Sequence, residues 1–133
     1  MATRKILQVT TGGGFCGVES EDGKTLYFSK RDDGEGIWEQ SVSGVAAKRV
    51  IQHVRHLMRF AVRSKGVCYV ARPEGGTHDV LFLWQFSTRR SIPLYTFEKE
   101  FYFGLDVSPD ERTVLYSQYD VNNSDIMLVS EFR

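Results

Sequence analysis

GLDVSPDERTVLYSQYDVNNSDIMLVSEFR, residues 104–133, reads as three short strands joined by two tight turns. The strands are Gly104 to Ser108, Val114 to Gln118 and Ile126 to Val129. The turns fall at Pro109-Asp110 and at Asn122-Asn123-Ser124. Proline presets the backbone for a turn, and Asp and Asn bond their own main chain, so runs this short predict an antiparallel meander. The same unit occurs upstream. Ser20-Glu21-Asp22-Gly23-Lys24-Thr25-Leu26-Tyr27-Phe28-Ser29 matches Ser108-Pro109-Asp110-Glu111-Arg112-Thr113-Val114-Leu115-Tyr116-Ser117 at an offset of 88 residues, roughly two periods of 44.

The intervening chain supplies the missing repeat. Arg4 to Thr10 reads as a lone strand closed by Thr11-Gly12-Gly13-Gly14. Phe15 to Ser20, Thr25 to Lys30, Ile37 to Val42 and Arg49 to Val54 then make a four-stranded unit. In its first turn Asp22 accepts a backbone N–H and Gly23 takes the left-handed conformation. A second unit follows: Met58 to Arg63, Val67 to Ala71, Val80 to Trp84 and Ser91 to Phe97. Val80-Leu81-Phe82-Leu83-Trp84 is almost unbroken apolar sequence, as in a strand covered on both faces. Pro93 confines the strand after it to a sheet edge. Val45 to Met58 lacks a cap and a 3.6-residue apolar period, so it predicts no helix.

Length and charge narrow the classes. The 133 residues, 41% of them hydrophobic, suffice for one ordinary core. Seventeen basic residues balance seventeen acidic ones, so no net field draws the chain to nucleic acid or lipid. Lys48 to Arg72 holds seven Lys/Arg and no carboxylate, which reads as solvated turns and outer strands in preference to a phosphate-binding patch. No apolar run reaches membrane length, and the N-terminus lacks the pattern of a secretory leader, which predicts a cytoplasmic protein. Cys16 and Cys68 have no C-x-x-C spacing and read as small buried side chains, with a disulfide left open.

One lone strand, then four, four and three, gives twelve, or three sheets of four. Four-stranded units repeating every 40 to 50 residues are the blades of a β-propeller. The expected architecture is therefore all-β: a partial propeller spanning residues 1–133, with units 12–54, 55–98 and 99–133 and residues 1–11 as an orphan outer strand. Three blades are fewer than a closed ring needs. Either further blades belong to the same protein, which the opening strand favours, or two copies join and exchange N-terminal strands.

Ser108-Pro109-Asp110 and Ser124-Asp125-Ile126-Met127-Leu128-Val129 resemble the TolB-like, WD-type propeller repeats of bacteria. The whole chain, including Gly12-Gly13-Gly14, Asp22-Gly23-Lys24, Ile37-Trp38 and Glu131-Phe132-Arg133, is similar to the C-terminal sensor half of bacterial regulators. In those proteins the propeller follows a winged-helix domain or a serine/threonine kinase domain, and no signature of either is present here. Two departures from the repeat stand out. Glu111 occupies the place of the usual Gly, where a left-handed backbone costs roughly 1 kcal/mol. The middle unit lacks the Asp-Gly turn altogether.

Residues that could pass for reagents have simpler roles. Ser20, Ser29, Ser108 and Ser117 recur where strand and turn ends need a hydroxyl for nearby backbone, and none sits in a G-x-S-x-G elbow. His53 and His56 would point to opposite faces of a strand, and His78 lies in a loop, so zinc is not expected. Asp120, Asn122, Ser124 and Glu131 mimic a calcium-loop spacing, but Asp125 stands where the loop needs Gly. Asp32-Asp33-Gly34-Glu35 reads as a polar turn. Asn122-Asn123-Ser124 is formally a glycosylation sequon. Phe28, Trp38, Tyr69, Phe82, Trp84 and Tyr116 are expected in the core between blades. No catalytic, cofactor or metal residues are assigned. Ser20, Asp22, Gly23, Ser108, Pro109, Asp110, Ser124 and Asp125 are assigned as structural turn residues.

The functional expectation is a non-catalytic module for protein interaction or ligand sensing, coupled to an effector in a larger bacterial regulatory protein. The expected partners are a protein, missing blades or a second copy, and not nucleic acid or membrane. An alternative is the gating propeller of a prolyl-oligopeptidase-like hydrolase.

Overall fold

The computed structural model describes residues 4–30, 36–55, 60–120 and 123–131. These hold eleven strands and no helix. Blade 1 comprises β1 (Gly17–Glu19), β2 (Thr25–Ser29), β3 (Ile37–Ser41) and β4 (Lys48–Ile51). Blade 2 comprises β5 (Phe60–Val62), β6 (Gly66–Ala71), β7 (Val80–Gln85) and β8 (Ser91–Thr96). Blade 3 has β9 (Phe101–Val107), β10 (Thr113–Asp120) and β11 (Asn123–Ser130). Each is an antiparallel meander in chain order, giving the expected four, four and three strands. The first strands touch in series, β1 against β5 and β5 against β9, so the sheets stand side by side around a common inner line.

Alternation places the cores. On β6, Val67, Tyr69 and Ala71 face blade 1, where they meet Tyr27, Ile37 and Ile51. Cys68 and Val70 point the other way, to Phe97, Phe101, Val107, Val114 and Tyr116 of the junction with blade 3. Every β6 residue is buried, because a period of two on a sheet covered on both sides leaves no solvent face. Aromatic edges lock both junctions. Tyr27 stacks on Phe86 at 5.4 Å, and Phe97 meets Tyr116 edge-on at 4.8 Å. Pro93 lies on β8 at a sheet edge, as expected.

Several expectations need correction. Arg4 to Thr10 forms no strand and joins none of the sheets among the described residues. Residues 4–8 are exposed instead, and the Val9 carbonyl accepts a 2.7 Å hydrogen bond from Gln40 Nε2 of β3. This segment and the glycines after it lie over the outer face of blade 1: a Cβ on Gly14 would sit 3.5 Å from the Phe28 ring. Phe28 and Trp38 therefore belong to that face and not to a junction between blades. Lys30 Nζ caps the Trp38 ring at 3.9 Å. Ser124 and Asp125 are not turn residues. They pair with Tyr119 and Gln118 inside β11, whose pairing with β10 already begins at Asp120 and Asn123. The first-unit strand expected to run to Val54 ends at Ile51, which puts His53 in an exposed linker. The Asp32–Glu35 turn, His56 and Asn122 lie outside the described residues.

Gly66 is the tightest backbone approach among the described glycines, since an added Cβ would stand 2.0 Å from the Trp84 carbonyl oxygen. Gly66→Ala should lower stability by about 3 kcal/mol, because β6 and β7 must separate to admit the methyl. Urea denaturation of the two proteins, read by tryptophan fluorescence, checks this.

Candidate functional site

Strand direction puts the β1–β2, β5–β6 and β9–β10 turns at one end of the blades. The turns of blades 1 and 3 carry the same hydrogen bonds. Ser20 Oγ donates to Asp22 Oδ1 and accepts the Thr25 N–H at 3.0 Å, while Asp22 Oδ1 accepts the Lys24 N–H at 3.0 Å. Ser108 Oγ likewise donates to Asp110 and accepts the Thr113 N–H at 3.0 Å, and Asp110 Oδ1 takes the Arg112 N–H at 3.1 Å. The Ser20 hydroxyl and then the Lys24 N–H hold the Asp22 carboxyl below its ordinary range. These serines and aspartates are engaged within their own turns. Ser117 Oγ similarly accepts the Phe103 N–H at 3.0 Å. Ser29 departs from the expectation, for its buried hydroxyl has no partner among the described residues.

Glu111 is the residue whose role the sequence did not disclose. It adopts φ 58°, matching Gly23 at 68°, and so carries the anticipated strain. Its carboxylate crosses to blade 2. Oε1 accepts the Ser64 hydroxyl at 3.0 Å and the Lys65 N–H at 3.1 Å, and Lys65 Nζ lies 3.6 Å from Oε2. The shortened blade 2 hairpin has no aspartate of its own, and Glu111 supplies the missing acceptor. Burial would raise this carboxyl, but the Lys65 N–H, the Ser64 hydroxyl and the Lys65 charge together hold it below its ordinary value. Arg63 adds a second bridge, donating to the Val107 carbonyl at 2.7 Å and to Asp106 Oδ1 at 2.9 Å.

Beside this bracket, between blades 2 and 3, opens a cleft of about 470 Å³. Leu83, Ile92, Leu94 and Val107 form its apolar floor, and Arg63, Lys65 and Glu111 stand at its rim. Cys68 is its one thiol. Burial first, then the Glu111 charge, push that thiol up to about 12 against the opposing pull of Arg63. A nucleophilic thiolate is thus disfavoured in this cleft. Cys16 is also free, and half-buried burial raises its thiol too.

The opposite end is polar and self-paired. The fully buried Asp79 carboxylate accepts Arg55 Nη1 at 2.5 Å and Arg72 Nε at 3.1 Å, and Arg55 reaches on to Glu100 of the next blade at 3.1 Å. His78 is exposed and shares a 2.8 Å hydrogen bond with Thr77, and His53 is exposed as well. The apparent calcium spacing is drawn out along β11, where Glu131 lies beyond the far end of the strand from Asn123.

No family model and no curated protein matches the sequence. Among solved structures, the crystal structure of TolB from Acinetobacter baumannii superposes with a TM-score of 0.75 at 18% identity, covering 96% of this chain. The fold is a β-propeller sector. The chain spans about a third of that TolB's length, 33%, which accords with three blades standing where a ring has more. The narrower likeness to the sensor halves of bacterial regulators rests on the sequence motifs alone.

Two outcomes follow from the bracket and the thiols. The folded Glu111 carboxyl titrates below the unfolded one, so its stabilisation is whole above the unfolded value of about 4.3 and is lost as pH falls through the folded one. Glu111→Gln should therefore cost about 1 kcal/mol at neutral pH, and the gap to wild type should close in acid, measured by urea titrations from pH 7 to pH 3. In the native protein at pH 8, iodoacetamide should label Cys16 well before Cys68, and mass spectrometry of tryptic peptides reads the order.

Proposed function

We propose that this chain is a non-catalytic recognition module: a propeller sector that binds a protein partner by taking an apolar side chain into the cleft between blades 2 and 3. The observation that carries this reading is the cleft itself. Its floor is apolar, its rim charges are already engaged with backbone and with each other, and its thiol is held protonated. Such a site has shape and hydrophobic surface to offer, and no reagent. Strand-borne walls keep it preformed, which limits the ordering cost of binding. The motif resemblance adds the setting: a bacterial regulatory protein in which this sector reports a binding event to an effector domain.

Ile92 suits a test because it lies on the edge strand β8 and is 38% exposed, so a polar replacement leaves the core intact. Peptides selected by display on the wild-type protein should bind Ile92→Glu at least about tenfold more weakly by fluorescence polarisation, with an unchanged melting temperature. Equal binding by the variant would move recognition elsewhere on the surface.

A further inference from the structure

The outer edges of the three blades are not alike. β4, KRVI, ends blade 1 with exposed Lys48 and Arg49. β8 ends blade 2 with Pro93 and a register break opposite Leu81 and Phe82. Charge, proline and bulges are the devices that stop an edge from pairing with another strand. β11, NSDIMLVS, has neither a proline nor a register break. It is eight residues long, pairs on one side only, and bears a single charge at Asp125. The sheet face beside it is also uncovered, with Ile126 74%, Leu128 59%, Phe103 46% and Leu115 44% exposed. A hollow of about 370 Å³ opens between Phe103, Leu105, Leu115 and Ile126 on that face.

The chain also holds a segment that pairs with no strand among the described residues. Arg4 to Gln8 is exposed, Ile6 at 102% and Leu7 at 74%, and it leads to Val9, whose carbonyl is held by Gln40 on the outer face of blade 1. That position is where the outermost strand of an adjoining blade would stand. We infer that β11 takes the Arg4–Thr10 segment of a second copy of this chain as its fourth strand, reciprocally, so that blade 3 of each copy faces blade 1 of the other.

Charge and pattern set one register. An antiparallel fourth strand brings Arg4 and Lys5 to the C-terminal end of β11, beside exposed Glu131. With Arg4 opposite Glu131, Leu7 falls opposite Leu128 and Val9 opposite Ile126, extending the exposed apolar row. Ile6 then meets Val129 on the face turned to blade 2, where Val129 already packs. A shift of one residue would turn Leu7 and Val9 away from that apolar row. This inference rests on the fold and not on the cleft, so either can fail alone.

Light-scattering mass across micromolar concentrations should give a dimer for the wild type. Leu7→Pro, at a side chain 74% exposed, should give a monomer with unchanged near-ultraviolet circular dichroism. Glu131→Arg should raise the dimer dissociation constant at least about tenfold, and Arg4→Glu with Glu131→Arg should recover most of it. A wild-type monomer overturns the inference, as it would if further blades of the same polypeptide cover β11. So does a dimer indifferent to Leu7→Pro, or a charge exchange that recovers nothing.

Discussion

The structure depends on covering both faces of a thin apolar sheet. A four-stranded blade has a period of two along every strand, so an apolar sequence puts hydrophobic surface on both sides at once. Blade 2 shows the requirement met. Val67, Val70 and Leu81 are fully buried, and they point alternately to blade 1 and blade 3. Neither face would be stable alone, since burying a large aliphatic side chain contributes roughly 1.5–3 kcal/mol and blade 2 holds several on each side. Side-by-side repetition is the solution, and it transfers the problem to the two ends of the row.

The two ends meet it differently. On blade 1 the chain covers its own outer face with the glycine-rich segment that precedes β1. Small residues let that backbone lie close to Phe28, while Lys30 closes over Trp38. Blade 3 has no such cover, and Leu115, Ile126 and Leu128 face solvent together. An exposed apolar row on a sheet with a free edge is a surface shaped for association. The asymmetry has a direction, because one end carries an unpaired segment and the other a strand paired on one side only.

Much of this was legible in the sequence because the signals were periodic. The Ser-x-Asp turns 88 residues apart fixed two hairpins, and their hydrogen bonds match atom for atom. Pro93 announced an edge strand and found one. Boundaries were less clear where the turn lacked a strong breaker. Asn122-Asn123-Ser124 looks like a loop by composition, yet pairing with the long β10 draws Asn123 and Ser124 into β11. Local preference there yields to eight residues of cross-strand contact. The lone strand expected at Arg4 to Thr10 shows the opposite failure: it has a strand's sequence and joins no sheet among the described residues. The cleft was invisible because its floor draws on β7, β8 and β9 together, residues with no shared spacing.

Two departures from the repeat, read in sequence as separate oddities, are one interaction. Blade 2 dropped the aspartate that would accept its turn N–H groups. Blade 3 replaced its turn glycine with Glu111, accepting about 1 kcal/mol of left-handed strain. The Glu111 carboxylate then supplies the acceptor that blade 2 lacks, 46 residues away along the chain. Hydrogen bonds to a charged group contribute roughly 1.5–3 kcal/mol, enough to exceed that strain. The exchange also changes what the bond does. An aspartate within a turn stabilises one hairpin, whereas Glu111 ties two blades at the mouth of the cleft and fixes the angle between its walls. A site that binds by shape needs its walls held, and here a strained residue in one blade holds the hairpin of the next.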